Sequence, residues 1–281
     1  MSARSGLLRD GRGRFGLAVL AVLVALAVLA PLVTTGHPDL QRDVVETRLL
    51  APFSTDLHGA FHLLGTDRFG RDLWTRLIYG ARTSLMVGTL AMAISAVLGT
   101  LVGIVAGLYR RRTGATLMGL TDFALALPRV VLLLLLTALW QPSAALVILV
   151  LGFTGWMSIA RLVYGETRSL TAQSFVESAI ALGAGRGRLV VRHLLPNTLT
   201  PIIAASALGI GNAIMLEAGL SFLGLGVQPP APSWGNMIAS GRDTLVNAPW
   251  VATAPGIALI LVVVACTLLG DATLDMVRGE R

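Results

Sequence analysis

The chain has 281 residues, of which 54% are hydrophobic and 13% charged, and its formal net charge is +7. Soluble domains carry about 25% charged residues, so this composition indicates an integral membrane protein. Every basic residue is an arginine, because the sequence contains no lysine. A P-loop places a lysine on the nucleotide phosphates, so an ATPase site of that kind is excluded. Most arginines flank apolar segments, where membrane topology and anionic lipid explain them, and nucleic-acid binding is not expected.

The first apolar segment follows a basic amino terminus. Residues 1–14 include four arginines and are expected in the cytoplasm, and Phe15 to Val33 is long enough, at about 1.5 Å per residue, to cross a bilayer. We assign a first transmembrane helix to residues 15–35. The small residues at 27–30 resemble a signal-peptide cleavage site, but the apolar segment is long for a signal peptide, which favours an uncleaved membrane anchor.

A polar stretch, residues 36–83, is predicted to be an extracytoplasmic loop that ends in a helix at the membrane surface. From Leu73 to Ala81 the apolar residues fall on one helical face. Trp74 and Tyr79 are residue types that favour the depth of the lipid headgroups. We therefore expect a short interfacial helix just before the second span.

The second and third spans differ in their polar content. Ser84 to Leu108 contains four glycines that allow close helix packing in lipid, and the basic turn Arg110 to Arg112 then belongs in the cytoplasm. The third span, Ala115 to Trp140, contains Asp122 and Arg129, on nearly the same helical face and about 10 Å apart along the axis, with a proline loosening the helix between them. Charges in a span are costly, so these two face a water-filled path or pair with a neighbouring helix or partner subunit.

The fourth span, Ser143 to Val163, leads into a loop of residues 164–197 that is predicted to form a helix-turn-helix elbow. Tyr164 to Leu182 has apolar residues at helical spacing, three glycines follow it, and a second helix, Arg188 to Leu195, lasts until Pro196 forces a new start. Such an elbow, with its projecting arginines, fits a groove on a soluble partner. The alternative is an ordinary basic loop held at the lipid surface.

The carboxyl-terminal part contains two spans around an outer loop. The fifth span, Thr198 to Leu216, has Pro201 in its first turn, where a missing N–H costs little, and the sixth is Val251 to Leu269. Residues 222–250 form a proline-rich outer loop. Just before it, Glu217 either lines the outer mouth of a path or is a hydrogen-bonded carboxylate at a helix end.

The placement of the arginines predicts the topology. With the amino terminus inside, most arginines fall in cytoplasmic segments, although the first outer loop is also rich in them. Six spans return the chain to the same side, so both termini and the elbow are expected in the cytoplasm. Residues 84–272 form the transmembrane core of this arrangement, and residues 273–281 form a cytoplasmic tail.

Three blocks of the sequence resemble one family of permeases. They are GTDRFGRDLWTRLIYGARTSL at residues 65–85, ESAIALGAGRGRLVVRHLLP at 177–196 and EAGLSFLGLGVQPPAPSWG at 217–235. The chain resembles the second permease subunit of ABC importers for dipeptides, oligopeptides or nickel, in which the middle block contacts the ATPase. Thr75, Ser178 and His193 depart from the usual residues of that family but keep its spacing, and an arginine at position 129 is also not its usual choice.

The resemblance implies an all-α integral membrane protein with six transmembrane helices, the type I ABC-importer permease fold and a cytoplasmic coupling-helix loop. It implies a cell-membrane complex with a second permease subunit, two ABC ATPase subunits and an extracytoplasmic substrate-binding protein. No cofactor is expected on this chain, because ATP and Mg²⁺ would bind the ATPase subunits, and the chain is not expected to be an enzyme. The cargo is expected to be a dipeptide or oligopeptide, with nickel or another small solute as the alternative.

The same resemblance suggests which residues serve each role. Those expected to couple the permease to the ATPase are Glu177, Ala179, Ala181, Leu182, Gly183, Gly185 and Arg186. Those expected along the translocation path are Asp122, Arg129 and Glu217.

Two other classes of protein are alternatives. An ion-coupled secondary transporter would use Asp122 and Glu217 to carry protons or sodium, and inverted repeats would support it, but the sequence has no clear internal repeat. A membrane enzyme would need a catalytic or metal-binding motif. The four histidines are scattered, no metal site is predicted, and a single cysteine, Cys266, allows no intrachain disulfide.

Overall fold

The computed structural model of the protein describes residues 10–34, 36–41, 43–109 and 112–279, with the backbone alone for residues 276–279. Some sequence predictions fall outside the described residues. These are the structure of residues 1–9, the first two arginines of the basic turn, Arg110 and Arg111, and the last two residues of the predicted tail.

The described chain is mostly helical, with one two-stranded antiparallel sheet. Its elements are α1 (Gly11–Val28), α2 (Ala30–Val33), α3 (Val44–Thr47), β1 (Ser54–Thr55), β2 (Phe61–His62), α4 (Leu73–Leu108), α5 (Arg112–Ala126), α6 (Arg129–Leu139), α7 (Ala144–Leu170), α8 (Ser174–Ala181), α9 (Arg186–Leu189), a π-helical turn (Val190–Leu194), α10 (Leu195–Phe222), α11 (Trp234–Gly241), a 3-10 turn (Arg242–Thr244) and α12 (Trp250–Gly279).

Five helical segments of the described chain are long and apolar enough to cross a membrane. They are α1, α4, α7, α12 and a composite helix from Arg186 to Phe222. The bent pair α5 and α6 passes the same test together and, counted as one span, brings the number to six. The predicted helical membrane fold with six spans is therefore confirmed.

The second span is longer than predicted, because the expected interfacial helix is its first part. Asp72 caps α4 by accepting a hydrogen bond from the Thr75 backbone N–H at 2.8 Å, and the helix runs without a break to Leu108. The side chain of Leu73 packs with Met237 and Val251 in a buried cluster. The prediction of a separate surface helix was wrong, because this apolar face packs on protein rather than on lipid headgroups.

The glycines of α4 allow a close approach to α7, as their small size predicts. A Cβ added at Gly99 would lie 2.6 Å from the Cβ of Ile159, and one added at Gly103 would lie 2.6 Å from the carbonyl oxygen of Ala160. Because no side chain larger than hydrogen fits at these positions, the two helices pack backbone against side chain in the middle of the bundle.

The third span is broken. Helix α5 ends at Ala126, α6 begins at Arg129, and their axes differ by 81°. Pro128 is the N-cap of α6, because proline disfavours helical backbone in the residue before it and cannot donate a hydrogen bond. The expectation of one helix with Asp122 and Arg129 on a common face was wrong, because the two residues lie on different helices.

The fifth span begins earlier than predicted. The helical path is continuous from Arg186 to Phe222, and the π-helical turn joins α9 to α10 without a break. Pro196 lies in the first turn of α10 and does not force a new start, because a π-turn accommodates a residue that cannot donate to the carbonyl four residues back. Pro201 consequently lies inside α10 and not in its first turn.

The bundle has two distinct ends. One end, here called the hairpin end, holds β1 and β2, the start of α4 and the loop from Gly224 to Ser233. The other end holds residues 171–194, here called the elbow, which lie against the last turns of α4. The main buried cores lie between these ends, where α4 and α10 pack with α7 on one side and with α12 on the other.

Candidate coupling elbow and membrane cavity

The elbow begins with a short break after the fourth span. Helix α7 ends at Leu170, three residues form a turn, and α8 begins at Ser174. The expected single helix from Tyr164 to Leu182 is therefore two helices. The Thr171 side chain donates to the Arg168 carbonyl at 3.0 Å, an example of a hydroxyl that competes with helical backbone hydrogen bonds.

The turn after α8 is built on Gly183. Its φ is +83°, a left-handed conformation that favours glycine. The Gly183 N–H donates to the Ile180 carbonyl at 2.9 Å, and the Ala184 N–H donates to the Ala179 carbonyl at 3.0 Å. This pair of hydrogen bonds is a Schellman motif, so the predicted role of a glycine in ending the helix is confirmed.

A small apolar cluster holds the elbow on the bundle. Val176 and Leu194 are fully buried in it, and Leu170 and Leu189 are nearly so. On the outside of the elbow, the Arg186 guanidinium lies 4.8 Å from the centre of the Tyr109 ring. One face of each short helix is thus anchored, and the other face is left open.

The open face contains the residues that were predicted to couple the permease to an ATPase. Six of the seven are exposed, namely Glu177, Ala181, Leu182, Gly183, Gly185 and Arg186. The seventh, Ala179, is half-buried. Leu182 has 89% of its surface exposed and Ile180 has 54%, so the tip of the elbow is apolar. The ATPase contact itself stays a prediction.

The charged residues of the third span do not meet. The Asp122 carboxylate forms an ion pair with Arg161 of α7 at 3.0 Å, and both side chains are about half exposed. Arg129 instead turns toward a cavity of about 200 Å³, whose other lining residues belong to α4, α7 and α10. The structure therefore places one predicted path residue at a cavity and the other in a separate ion pair.

The third predicted path residue, Glu217, is at the centre of a buried polar cluster at the hairpin end. Its side chain is 0% exposed. It accepts hydrogen bonds from the Ser221 hydroxyl at 2.6 Å and from the Ser84 hydroxyl at 3.2 Å. The Ser84 oxygen in turn accepts from the Trp234 backbone N–H at 3.2 Å, which ties α11 to the two spans. This is the geometry of a hydrogen-bonded helix-end carboxylate.

The first sequence block forms a second network at the same end. The Asp67 carboxylate accepts from the Arg71 Nε at 2.7 Å and lies 3.6 Å from the Arg76 Nε. Arg76 also donates to the carbonyl of Pro38 at 3.0 Å. Sequence reasoning assigned no function to these residues. The sequence did contain a signal for them, because aspartates and arginines that alternate at fixed spacing are typical of ion pairs.

The small sheet lies next to this network, and its His62 Nδ1 is 2.8 Å from the Asp72 carboxylate. The Asp56 carboxylate accepts from the Ala60 N–H at 2.7 Å and from the His58 N–H at 2.9 Å, which closes the hairpin. Burial raises the pKa of Asp56, but these backbone donors, with the neighbouring His62, outweigh burial and hold the pKa below its usual range. Across the described residues, no group of three histidines, cysteines or carboxylates is arranged to hold a metal ion.

A six-span bundle with a glycine-turned elbow at one end is the architecture of an importer permease. Residues 99–278 match the family described as the inner membrane component of binding-protein-dependent transport systems. This chain belongs to that family, so it is an inner membrane component of a binding-protein-dependent transport system.

Curated relatives match nearly the whole chain. The dipeptide transport system permease protein DppC of Alkalihalophilus pseudofirmus is 36% identical over 92% of this chain and 83% of its own length. The di/tripeptide transport system permease protein DppC of Pseudomonas aeruginosa is 38% identical over 92% of this chain and 85% of its own length.

A solved structure supports the fold. A chain of the MetNI methionine ABC transporter, in an inward-facing conformation, superposes with a TM-score of 0.58 over 74% of this chain and 97% of that chain. The sequence identity is 19%, so the likeness is one of fold. The predicted type I importer fold is confirmed.

Proposed function

We propose that this permease is one of two membrane subunits of an ATP-driven importer that carries dipeptides or short oligopeptides into the cell. The observation that carries this proposal is the elbow, with its apolar tip exposed on an anchored base. Two curated relatives of this chain are described as dipeptide or di/tripeptide permeases, which favours a peptide cargo. Nickel or another small solute is the alternative cargo.

The elbow has the features of a docking helix. An exposed isoleucine near the end of α8 and an exposed leucine just after it are costly in water unless a partner covers them. The neighbouring arginines at positions 186, 188 and 192 add positive charge around this apolar tip. A groove of matching shape on an ABC ATPase subunit would bury the tip by the helix-in-groove mode.

The orientation of the chain follows from this assignment. The elbow end, where α4 ends and Arg112 begins α5, would face the cytoplasm, where the ATPase subunits are, and six spans would return both termini to that side. Arg71 and Arg76 at the hairpin end have carboxylate neighbours in Asp67 and Asp39, which reduces the net positive charge of the outer loop. The hairpin end would then receive an extracytoplasmic substrate-binding protein.

The energy source lies on other chains. ATP and Mg²⁺ would bind the ATPase subunits, and this permease would hold neither. Closure of the ATPase dimer around ATP would move the elbows of the two permeases and favour the conformation that opens outward. Coupling requires only that ATP binding stabilises one conformation of the pair more than the other.

The first experiment is copurification from cells that express this chain with the rest of its transport system. Leu182→Asp places a charge on the apolar tip, and Val246→Asp is the matched control, since Val246 is 95% exposed at the hairpin end. We expect wild type and the control to retain a second permease and ATPase subunits in mild detergent, and Leu182→Asp to lose the ATPase subunits. Equal retention by both variants would contradict docking on the elbow.

Uptake measurements test the cargo and the energy source. Cells or proteoliposomes with the complete system should accumulate a labelled dipeptide, and excess nickel should not compete. Depleting ATP while the membrane potential is held should stop uptake. Continued uptake without ATP would instead support an ion-coupled secondary transporter.

A further inference from the structure

The cavity beside Arg129 is lined by both apolar and polar side chains, and helix packing alone does not require the polar ones. Its polar side chains, besides the arginine, are Ser95, Ser158 and Asn212. No acidic side chain is among the described residues that line it. A second, smaller cavity of about 50 Å³ lies at the break between α5 and α6 and shares Arg129 and Ser158 with the first. Arg129 therefore lies between the two cavities, at the break in the third span.

The guanidinium of Arg129 has few partners within the described part of the chain. Its Nη2 donates to the Leu151 carbonyl across a long 3.4 Å, and its Nε is buried without a hydrogen-bond partner. The nearest carboxylate along the chain, Asp122, is paired with Arg161 instead. An arginine in a span is costly to keep unless it faces water or an anion.

Gly155 leaves room for the guanidinium because it has no side chain. A Cβ at this position would lie 3.1 Å from the Nη2 of Arg129 and would also collide with the Ser95 hydroxyl. Arg129 is also the first residue of α6, whose N-cap, Pro128, provides no side-chain hydrogen bond. The first N–H groups of that helix add partial positive charge beside the guanidinium. Position, space and charge thus all favour an anion at this place.

We propose that Arg129 binds a carboxylate of the cargo while the cargo passes through this cavity. The inference rests on the proposed peptide import, because every free peptide has a terminal carboxylate, and arginine pairs with carboxylates through two parallel hydrogen bonds. Ser158 and Asn212 line the same cavity and offer further hydrogen-bond donors. A carboxylate side chain of the partner permease has the same chemistry, and the experiments below distinguish the two sources.

The first experiment measures the charge preference of the cavity. Ser158→Cys in a Cys266→Ala background is treated, in the assembled complex in proteoliposomes, with an anionic sulfonatoethyl or a cationic trimethylammonium-ethyl methanethiosulfonate. Reaction rates are normalised to a reference cysteine, Val246→Cys in the same background. We expect the anionic reagent to be favoured roughly tenfold, and this preference to disappear in Arg129→Gln, because an unpaired charge a few ångströms away shifts rates by that order.

A matched control removes a different arginine. Arg161→Gln deletes a positive charge on α7 that does not line the cavity, so the anionic preference should survive it. An equal rate for the two reagents in the wild-type background would overturn the proposal. If Arg129→Gln also releases the second permease on copurification, the carboxylate belongs to the partner.

The second experiment measures transport. In the complete system, Arg129→Gln should lower the uptake of a dipeptide about tenfold while stimulation of ATP hydrolysis by the binding protein stays unchanged, and Arg129→Lys should recover part of the uptake. Unchanged uptake in Arg129→Gln would contradict the proposal. If wild type itself imports no peptide, the proposed function fails, and the reagent rates still decide whether the cavity binds anions.

Discussion

The hairpin end and the elbow are organised in opposite ways. At the hairpin end, charged and polar side chains such as Glu217 and Asp67 are buried and paired within the chain. At the elbow, two short helices leave apolar side chains such as Leu182 open to solvent. A buried polar network specifies one arrangement of the segments that it joins, whereas an exposed apolar tip is completed by another molecule. Variants at the first end should therefore affect folding, and variants at the second should affect coupling.

The largest effect is expected from Glu217→Ala. It leaves the hydroxyls of Ser84 and Ser221 without their acceptor in a buried site and opens a cavity between α4 and α10. We expect a loss of about 3 kcal/mol in the free energy of unfolding, from unsatisfied donors and lost packing. Denaturant unfolding of the purified protein in detergent measures it. Glu217→Gln keeps the shape and one acceptor oxygen, so its free energy of unfolding should fall by only about 1 kcal/mol. Equal stability of the Glu217→Ala variant and wild type would contradict a structural role.

The second effect is expected at the elbow and should be larger on transport than on folding. Gly183→Pro removes the N–H that donates to the Ile180 carbonyl and cannot adopt a φ of +83°. We expect uptake to fall at least about tenfold, a coupling loss of about 1.4 kcal/mol, while the protein still inserts in the membrane and loses only about 1 kcal/mol in its free energy of unfolding.

The matched control for the elbow is Gly187→Ala, at a position outside the predicted coupling residues. Gly187 lies in α9 with no positive φ, and no atom lies within 4 Å of an added Cβ, so alanine fits without strain. Uptake by this control should match wild type. Normal uptake in Gly183→Pro would contradict a role of the elbow in coupling. The functional contrast between the elbow and the hairpin end would then be lost.

The smallest effect is expected from Asp56→Asn and depends on pH. Because the folded pKa of Asp56 is below its unfolded value near 3.8, its ionised form stabilises the hairpin above that value, and the contribution is lost as pH falls through the folded pKa. At pH 7 the variant should show roughly fivefold faster amide exchange in residues 54–62, a loss of about 1 kcal/mol. The difference should shrink only below about pH 4. A difference that already shrinks between pH 7 and 5 would contradict the lowered pKa.

Much of the architecture could be predicted from the sequence, because apolar length and glycine position have local causes. The spans, the glycine that ends α8 and the close packing of α4 on α7 follow from residue type and spacing. The break of the third span did not follow. Pro128 indicated a loosened helix, but whether a proline bends or breaks a helix depends on what packs on either side, here α7 and the cavity.

The polar networks were harder to predict for a different reason. Ser84 and Glu217 are 133 residues apart in the chain, and Ser84 and Trp234 are 150 apart. No local pattern connects residues at such distances. The two sequence blocks that contain them did mark them as unusual, but only the fold brings the blocks together. The same holds for Arg129, whose cavity is formed by helices that are distant in sequence.

The π-helical turn has a mechanical consequence. Since it joins α9 to α10 without a break, a single rod of 37 residues, roughly 55 Å long, extends from Arg186 to Phe222. Because the helical path is continuous, a movement at its elbow end would be carried along the helix to the hairpin end. Glu217 lies near that far tip and grips α4 through Ser84. The helix that begins in the elbow is thus hydrogen-bonded to α4 at its other end.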